Sequence, residues 1–341
     1  TGSVAAALLA VSLCSVVGGW DAVALLVQRK WVVTLDAWAD TPLRVHNILT
    51  QYIWTPQNML GLLICLLGAF TLHVRGWWRG WLVLGPWMAH TLLGSSIWIG
   101  AAMLAGLAPL VALEVIRQRQ APRVAGRLLA GALTVAVLML AAASPLLAAY
   151  AETGRRHGRG LTTQWDGYSS NAWLGRVAPP GPLANALDLV WILPIEFGPL
   201  LVAPLLAPGW FWRRVWGDPG TRWLLLTSVG AVAIYPVVRS NFTYNDFGHR
   251  VILIPLVTGA LLGAGALLSR PSAAGEGSAA ERARGAPNVW GARIRGVILA
   301  MAIAAGTPVG LWQAPAGAIR RFATPVGALA RLCAPPTAVA F

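Results

Sequence analysis

Acidic residues are scarce in this chain: 12 Asp and Glu stand against 26 Lys and Arg, and charged residues of all kinds make up 11%. A soluble domain normally carries about a quarter charged residues, so that class is excluded. Lysine is rarer still, Lys30 being the only one, and the formal charge of +14 is carried almost wholly by arginine. Such an excess can mark a nucleic-acid binder. Here the arginines fall between apolar runs, as in loops that hold a membrane protein in one orientation, so no nucleic-acid partner is expected. Cysteine is limited to Cys14, Cys65 and Cys333, too scattered for a disulfide framework or a zinc site. No basic flank precedes the first apolar run and the chain opens on Thr1. Neither a signal peptide nor a natural start is read there, and a longer parent chain is expected.

What is present is apolar sequence, 57% of the residues, gathered into runs close to the roughly 20 residues that one membrane span needs. Runs at 3–19, 58–74, 128–150, 187–206, 223–238, 251–268 and 296–312, with a longer one at 81–113, predict an all-α fold. It is a polytopic transmembrane bundle of about eight or nine spans, some short or broken. Arg75 and Arg79 precede the run at 81–113, and Arg117, Arg119, Arg123 and Arg127 follow it. If both basic flanks are cytoplasmic, the run crosses twice or re-enters, with a break predicted near Gly94, Ser95 and Ser96. Residues 1–268 then form the transmembrane domain, with outer-face loops at 20–56, 151–182 and 239–250. Residues 269–295 have the composition of a flexible cytoplasmic linker, and 296–341 supply a last span and a tail.

The outer loops hold most of the polar chemistry. Asp36 and Asp40 are four residues apart and would share a helix face. That geometry suits a metal or an acid–base pair, and equally a solvated face. At 52–58 Pro56 suits a first helical turn, with Gln57 and Asn58 at the helix mouth, a pattern that capping also explains. The loop at 153–171 gathers Arg155, Arg156, His157 and Arg159 before Trp165, Asp166 and Tyr168. Placed outside, its arginines break the positive-inside tendency, which points to a use of their own. Guanidinium forks match phosphate oxygens and aromatic faces stack on sugars, although a solvated loop has the same composition. Two polar residues fall within apolar runs. His90 has no carboxylate or cysteine nearby, as in a hydrogen-bonded core histidine, whereas Glu196 stands among Pro194, Gly198 and Pro199, which predict a distorted helix. The stretch at 239–255 crowds Asn245, Asp246, His249 and Arg250 before a span. Asp246 and Arg250 could pair at the start of that helix or serve only as cap and anchor.

The segment NDFGHRVILIP at 245–255 resembles a motif of large bacterial membrane proteins with glycosyltransferase C (GT-C)-like architecture, with His249 where that motif usually has tryptophan. GGWDAVALL at 18–26, YIWTPQN at 52–58, SSIWIGAAMLAGLAPL at 95–110 and ASPLL at 143–147 stand in similar order in those proteins, so the likeness covers most of 10–260. That pattern has histidine where this chain has Asn58. The resemblance implies a bacterial inner-membrane enzyme that transfers a sugar from a polyprenyl-phosphate donor at the outer face, with membrane lipids as further partners. It also implies a catalytic aspartate in the first outer loop after the first span, which a truncated chain would lack. Asp246, Asp36, Asp40 and Asp166 are then the candidate catalytic carboxylates, and a divalent metal ion is a candidate cofactor. Arg250, His249, Asn245, Gln57, Arg155, Arg156, Trp165 and Tyr168 are the candidate substrate-binding residues. Two other readings fit the sequence: a transporter or lipid flippase with a midplane site at Glu196, and a noncatalytic membrane subunit.

Overall fold

The computed structural model describes residues 56–75, 77–157, 161–163, 209–235, 238–240 and 250–268, with Gly198, Leu205 and Ala207 as single positions. Within these residues the chain is nearly all helical. The helices are α1 (Pro56–Arg75), α2 (Trp77–Ser95), α3 (Ile97–Ala105), α4 (Leu107–Arg117), α5 (Pro122–His157), α6 (Gly209–Gly217), α7 (Pro219–Ile234) and α8 (Leu253–Leu268). Two three-residue strands, β1 (Leu161–Thr163) and β2 (Val238–Ser240), lie in the loop expected at 151–182 and across the boundary between the span expected at 223–238 and the loop at 239–250. The expected spans at 3–19 and 296–312, the linker at 269–295 and most of 187–206 lie outside the described residues.

α1 illustrates how the apolar runs become helices. Pro56 opens it, where a fixed φ and a missing N–H are no disadvantage. Leu62, Cys65, Ala69 and Leu72 recur at helical spacing and are buried, while Leu63 and Phe70 on the other side are each 62% exposed. Both faces are apolar, one packed on protein and the other turned outward. α2 and α5 repeat the pattern, with Val83, Trp87, Leu133, Val137 and Leu140 exposed. Among the described residues three helical segments are long and apolar enough to cross a membrane: Gln57–Val74, Ile97–Arg117 and Pro122–Arg156.

Small residues fix the directions of packing. Gly61 lies against Ser95 and Gly68 against Met88, so α1 and α2 are antiparallel. Ser96 between α2 and α3 takes an extended backbone, φ −156° and ψ 103°. A Cβ at Gly100 would stand 3.0 Å from the carbonyl carbon of Leu92, yet on one straight helix the two residues would be ~12 Å apart along the axis. The chain therefore doubles back at Ser96, where the run at 81–113 was predicted to break. Gly106 keeps near-helical angles (φ −65°, ψ −13°), so α3 and α4 continue in one direction. α5 runs parallel to α2, with Gly85 against Val135 and Met139, and with the Tyr150 hydroxyl donating to the Leu93 carbonyl at 3.0 Å.

α7 begins at Asp218, whose carboxylate accepts from the Thr221 amide at 2.7 Å, with Pro219 in the first turn. An aspartate cap followed by proline is a strong local start signal. Gly220 lets α7 approach the Ala69 carbonyl of α1, where a Cβ would collide with backbone. At the centre Trp223 meets Trp81 edge to face, 5.1 Å between ring centroids, and donates its indole N–H to the Met103 carbonyl at 2.9 Å. α8 returns along α7, tied by a buried Ser228–Thr258 hydrogen bond of 2.9 Å. Near the far end of α8, Leu262 packs on Phe211 and Val215 of α6.

These directions create two ends. At the arginine end α1 and α4 finish and α2, α5 and α7 begin, so the basic flanks at 75–79 and 117–127 share one end, as their charge predicted. At the opposite, ladder end the chain turns at Ser96 and β1 pairs antiparallel with β2, Leu161 opposite Ser240 and Thr163 opposite Val238.

Candidate functional site

The ladder end carries those sequence-predicted residues that the structure describes, His90 apart. α5 has 36 residues and so spans ~54 Å, well over the ~30 Å hydrocarbon thickness of a bilayer. Its last turns thus project past any apolar layer that its middle crosses. Those turns hold Glu152, which pairs with Arg155 at 3.1 Å and Arg156 at 2.7 Å, all on one helix face. Exposed pairs of this kind contribute at most about 1 kcal/mol, and one carboxylate against two guanidinium groups leaves the face cationic.

Five residues after Arg156 the β1–β2 ladder begins. Its register sets Leu161, shortly after Arg155 and Arg156, which lie on α5 and not in the loop expected from 151 onward, opposite Ser240, which leads into the segment carrying Asn245, Asp246 and His249. That segment ends at Arg250, which is half-buried. Arg250 directly precedes Val251, which is buried against Ala231 of α7, with Trp98 and Ala102 of α3 and Val238 of β2 packed around the pair. The loop at 239–250 therefore leaves from the ladder and returns to the same α3–α7 corner.

At the mouth of α1 the two polar neighbours separate. Gln57 is exposed and Asn58 fully buried, because successive residues point about 100° apart around a helix. Asn58 lies one turn before Gly61, which touches Ser95 and Ser96, and Ser96 is itself 2% exposed. His90 lies in the second half of α2, exposed, its Nδ1 within 3.0 Å of the Ala142 carbonyl of α5. It is hydrogen-bonded, but at a helix–helix seam and not in the core. Asp36, Asp40, Trp165, Asp166, Tyr168, Glu196, Asn245, Asp246 and His249 lie outside the described residues. Beside Glu196, Gly198 takes a positive φ of 33°, a backbone conformation that favours glycine. Among the described residues no group of three His, Cys, Asp or Glu could hold a metal ion.

The arginine end holds a second polar cluster that sequence reasoning missed. The guanidinium of Arg222, 4% exposed, is paired with the carboxylate of Glu114, and Arg117 stands 3.7 Å from the same carboxylate. Arg117 also donates to the Trp216 carbonyl at 3.2 Å. His73 Nδ1 meets the Asp218 carboxylate at 2.6 Å, joining the end of α1 to the cap of α7. Burial pushes the Asp218 carboxyl up, but the hydrogen bonds from Thr221 and His73 outweigh it and hold it below its ordinary value. The available signals were local: Glu114 directly after the apolar run at 81–113, and the sequence Asp218, Pro219, Gly220, Thr221 as a helix start.

No family model matches the chain, and comparison with curated proteins and with solved structures found no match.

Proposed function

We propose that the chain is an integral membrane enzyme of the bacterial inner membrane, GT-C-like, that transfers a sugar from a polyprenyl-phosphate donor at its ladder end. Embedding is supported by the outward apolar faces of α1, α2 and α5, which water would penalise and lipid accepts. The observation that carries the transfer reading is the β1–β2 ladder. Its register draws the cationic last turns of α5 and the start of the segment leading to Asp246 and Arg250 to one end of the bundle. In the chain, the α5 arginines shortly precede β1, and Asp246 and Arg250 follow β2.

In this reading Asp246 acts as general base and takes the proton of an acceptor hydroxyl. The freed oxygen attacks the anomeric carbon of the donor sugar, a new C–O bond forms, and the bond from that carbon to the phosphate oxygen breaks. The leaving polyprenyl phosphate keeps the electron pair, and Arg250, Arg155 and Arg156 stabilise its charge. Asp36, Asp40 and Asp166 are the alternative carboxylates, and a divalent ion would add charge stabilisation at the phosphate. Reconstituting the full chain in liposomes with a polyprenyl-phosphate sugar and acceptor tests the reading. Asp246→Asn should lower product formation by about 100-fold or more, the usual share of a general base, with insertion unchanged. Normal turnover in that variant excludes Asp246 as an essential base.

A transport reading draws on one different observation, the buried Glu114–Arg222 pair between α4 and α7, because ionisable groups inside apolar bundles often mark pathways. Solute flux across sealed vesicles that Glu114→Gln abolishes would favour it over transfer.

A further inference from the structure

The arginine end combines three features on separate elements. α6, with the sequence GWFWRRVWG, packs Phe211 and Val215 against Leu262 of α8 and leaves Arg213 and Arg214 exposed. Trp210, Trp212 and Trp216 flank those arginines, the residue type that collects where hydrocarbon meets headgroups. Arg117 links this helix to α4 through the Trp216 carbonyl, and Arg119, Arg123 and Arg127 on the following turn and α5 are also exposed. Exposed apolar side chains adjoin them, with Ile116 at 60%, Val124 at 41% and Leu129 at 45%. Among the described residues the two acids at this end are already engaged, Glu114 with Arg222 and Asp218 with His73 and Thr221.

We infer that the arginine end is a binding surface for anionic phospholipid, the headgroup phosphate lying on Arg213, Arg214 and the arginines of the α4–α5 turn and the acyl chains against Ile116, Val124 and Leu129. A soluble phosphate would use only the cations. A lipid uses the cations, the tryptophans and the neighbouring apolar wall together, and that combination is what the surface presents. The inference rests on the embedding proposed above and is independent of the transfer chemistry.

The test is native mass spectrometry of the full chain in detergent, titrated with phosphatidylglycerol and with phosphatidylcholine of the same acyl chains. Phosphatidylglycerol should be retained preferentially, and added salt should weaken its retention. Arg213→Gln with Arg214→Gln should reduce its affinity by about 30-fold, ~1 kcal/mol for each charge removed, and leave phosphatidylcholine unaffected. Arg213→Lys with Arg214→Lys should keep most of the preference, which separates lost charge from lost fold. Equal retention of the two lipids overturns the inference. So does an equal loss from Arg155→Gln with Arg156→Gln at the opposite end, or displacement of the lipid by equimolar inorganic phosphate, which would assign the surface to a soluble anion. Failure of the unaltered chain to enter phosphatidylcholine vesicles refutes the embedding instead.

Discussion

Arg222 is 3% exposed and lies beside a carboxylate that is itself largely enclosed, so the pair must be judged by what happens when one partner is lost. Removing one member strands a buried charge and typically costs about 3–5 kcal/mol, whereas replacing both with apolar groups is often neutral. Arg222→Met alone should therefore destabilise the protein in detergent by about 3 kcal/mol, and Glu114→Leu with Arg222→Met should recover most of that loss. Denaturant unfolding of the two single variants and the double variant checks this, and strictly additive losses would contradict the pairing. Asp218 gives a second residue-scale expectation. Its folded-state carboxyl is held below its ordinary value of 3.8, so the unfolded chain takes up the proton first as pH falls. The stabilisation is complete above 3.8 and is lost as pH drops through the depressed folded-state value. Asp218→Asn keeps an N-cap acceptor but removes the charge facing His73, so its stability curve should be flatter in that acid range. Asp218→Ala loses the cap too and should be less stable than Asp218→Asn by about 1 kcal/mol.

At the scale of elements, close approach of backbones decides the geometry. Gly220 is set against the Ala69 carbonyl, an atom that cannot swing aside as a side-chain tip can. Gly220→Ala should force α7 away from α1 and cost about 1–3 kcal/mol, the usual range for overpacking. Gly126 in α5 has nothing within 4 Å of an added Cβ, so Gly126→Ala should be neutral or stabilise by up to about 1 kcal/mol through helix propensity. Thermal unfolding of both variants separates packing from propensity, and equal effects would show that the α1–α7 contact is not tight. The same logic holds at Gly100, whose approach to Leu92 and Leu93 lets the hairpin at Ser96 close.

For the whole molecule, the alternating helix directions place Arg119 and Arg155 at opposite ends of the bundle. With Cys14, Cys65 and Cys333 replaced by alanine or serine, single cysteines at positions 119 and 155 should be labelled from opposite sides of sealed vesicles. Labelling of both from one side would mean that α5 does not cross.

Much of the helical framework was readable from the residues alone. The run at 58–74 became α1 at Pro56–Arg75, the run at 128–150 lies within α5, and the long run at 81–113 breaks at Ser96. Those features depend on local quantities: the length of an apolar run, the arginines at its flanks, and a serine–glycine stretch that interrupts it. The sequence also grouped Gln57 with Asn58, but the rotation of α1 against α2 and α3 decided that Asn58 is buried and Gln57 exposed. Likewise Glu114 with Arg222, and His73 with Asp218 across 145 residues, pair only because α7 runs antiparallel to both α1 and α4. The ladder between 161–163 and 238–240 was invisible for the same reason, since three residues in a loop and three at the end of an apolar run carry no periodic signal. A local pattern determines where a helix forms and which residues suit lipid. Helix direction, rotation and register come from which surfaces can approach most closely, and that only the packed bundle decided.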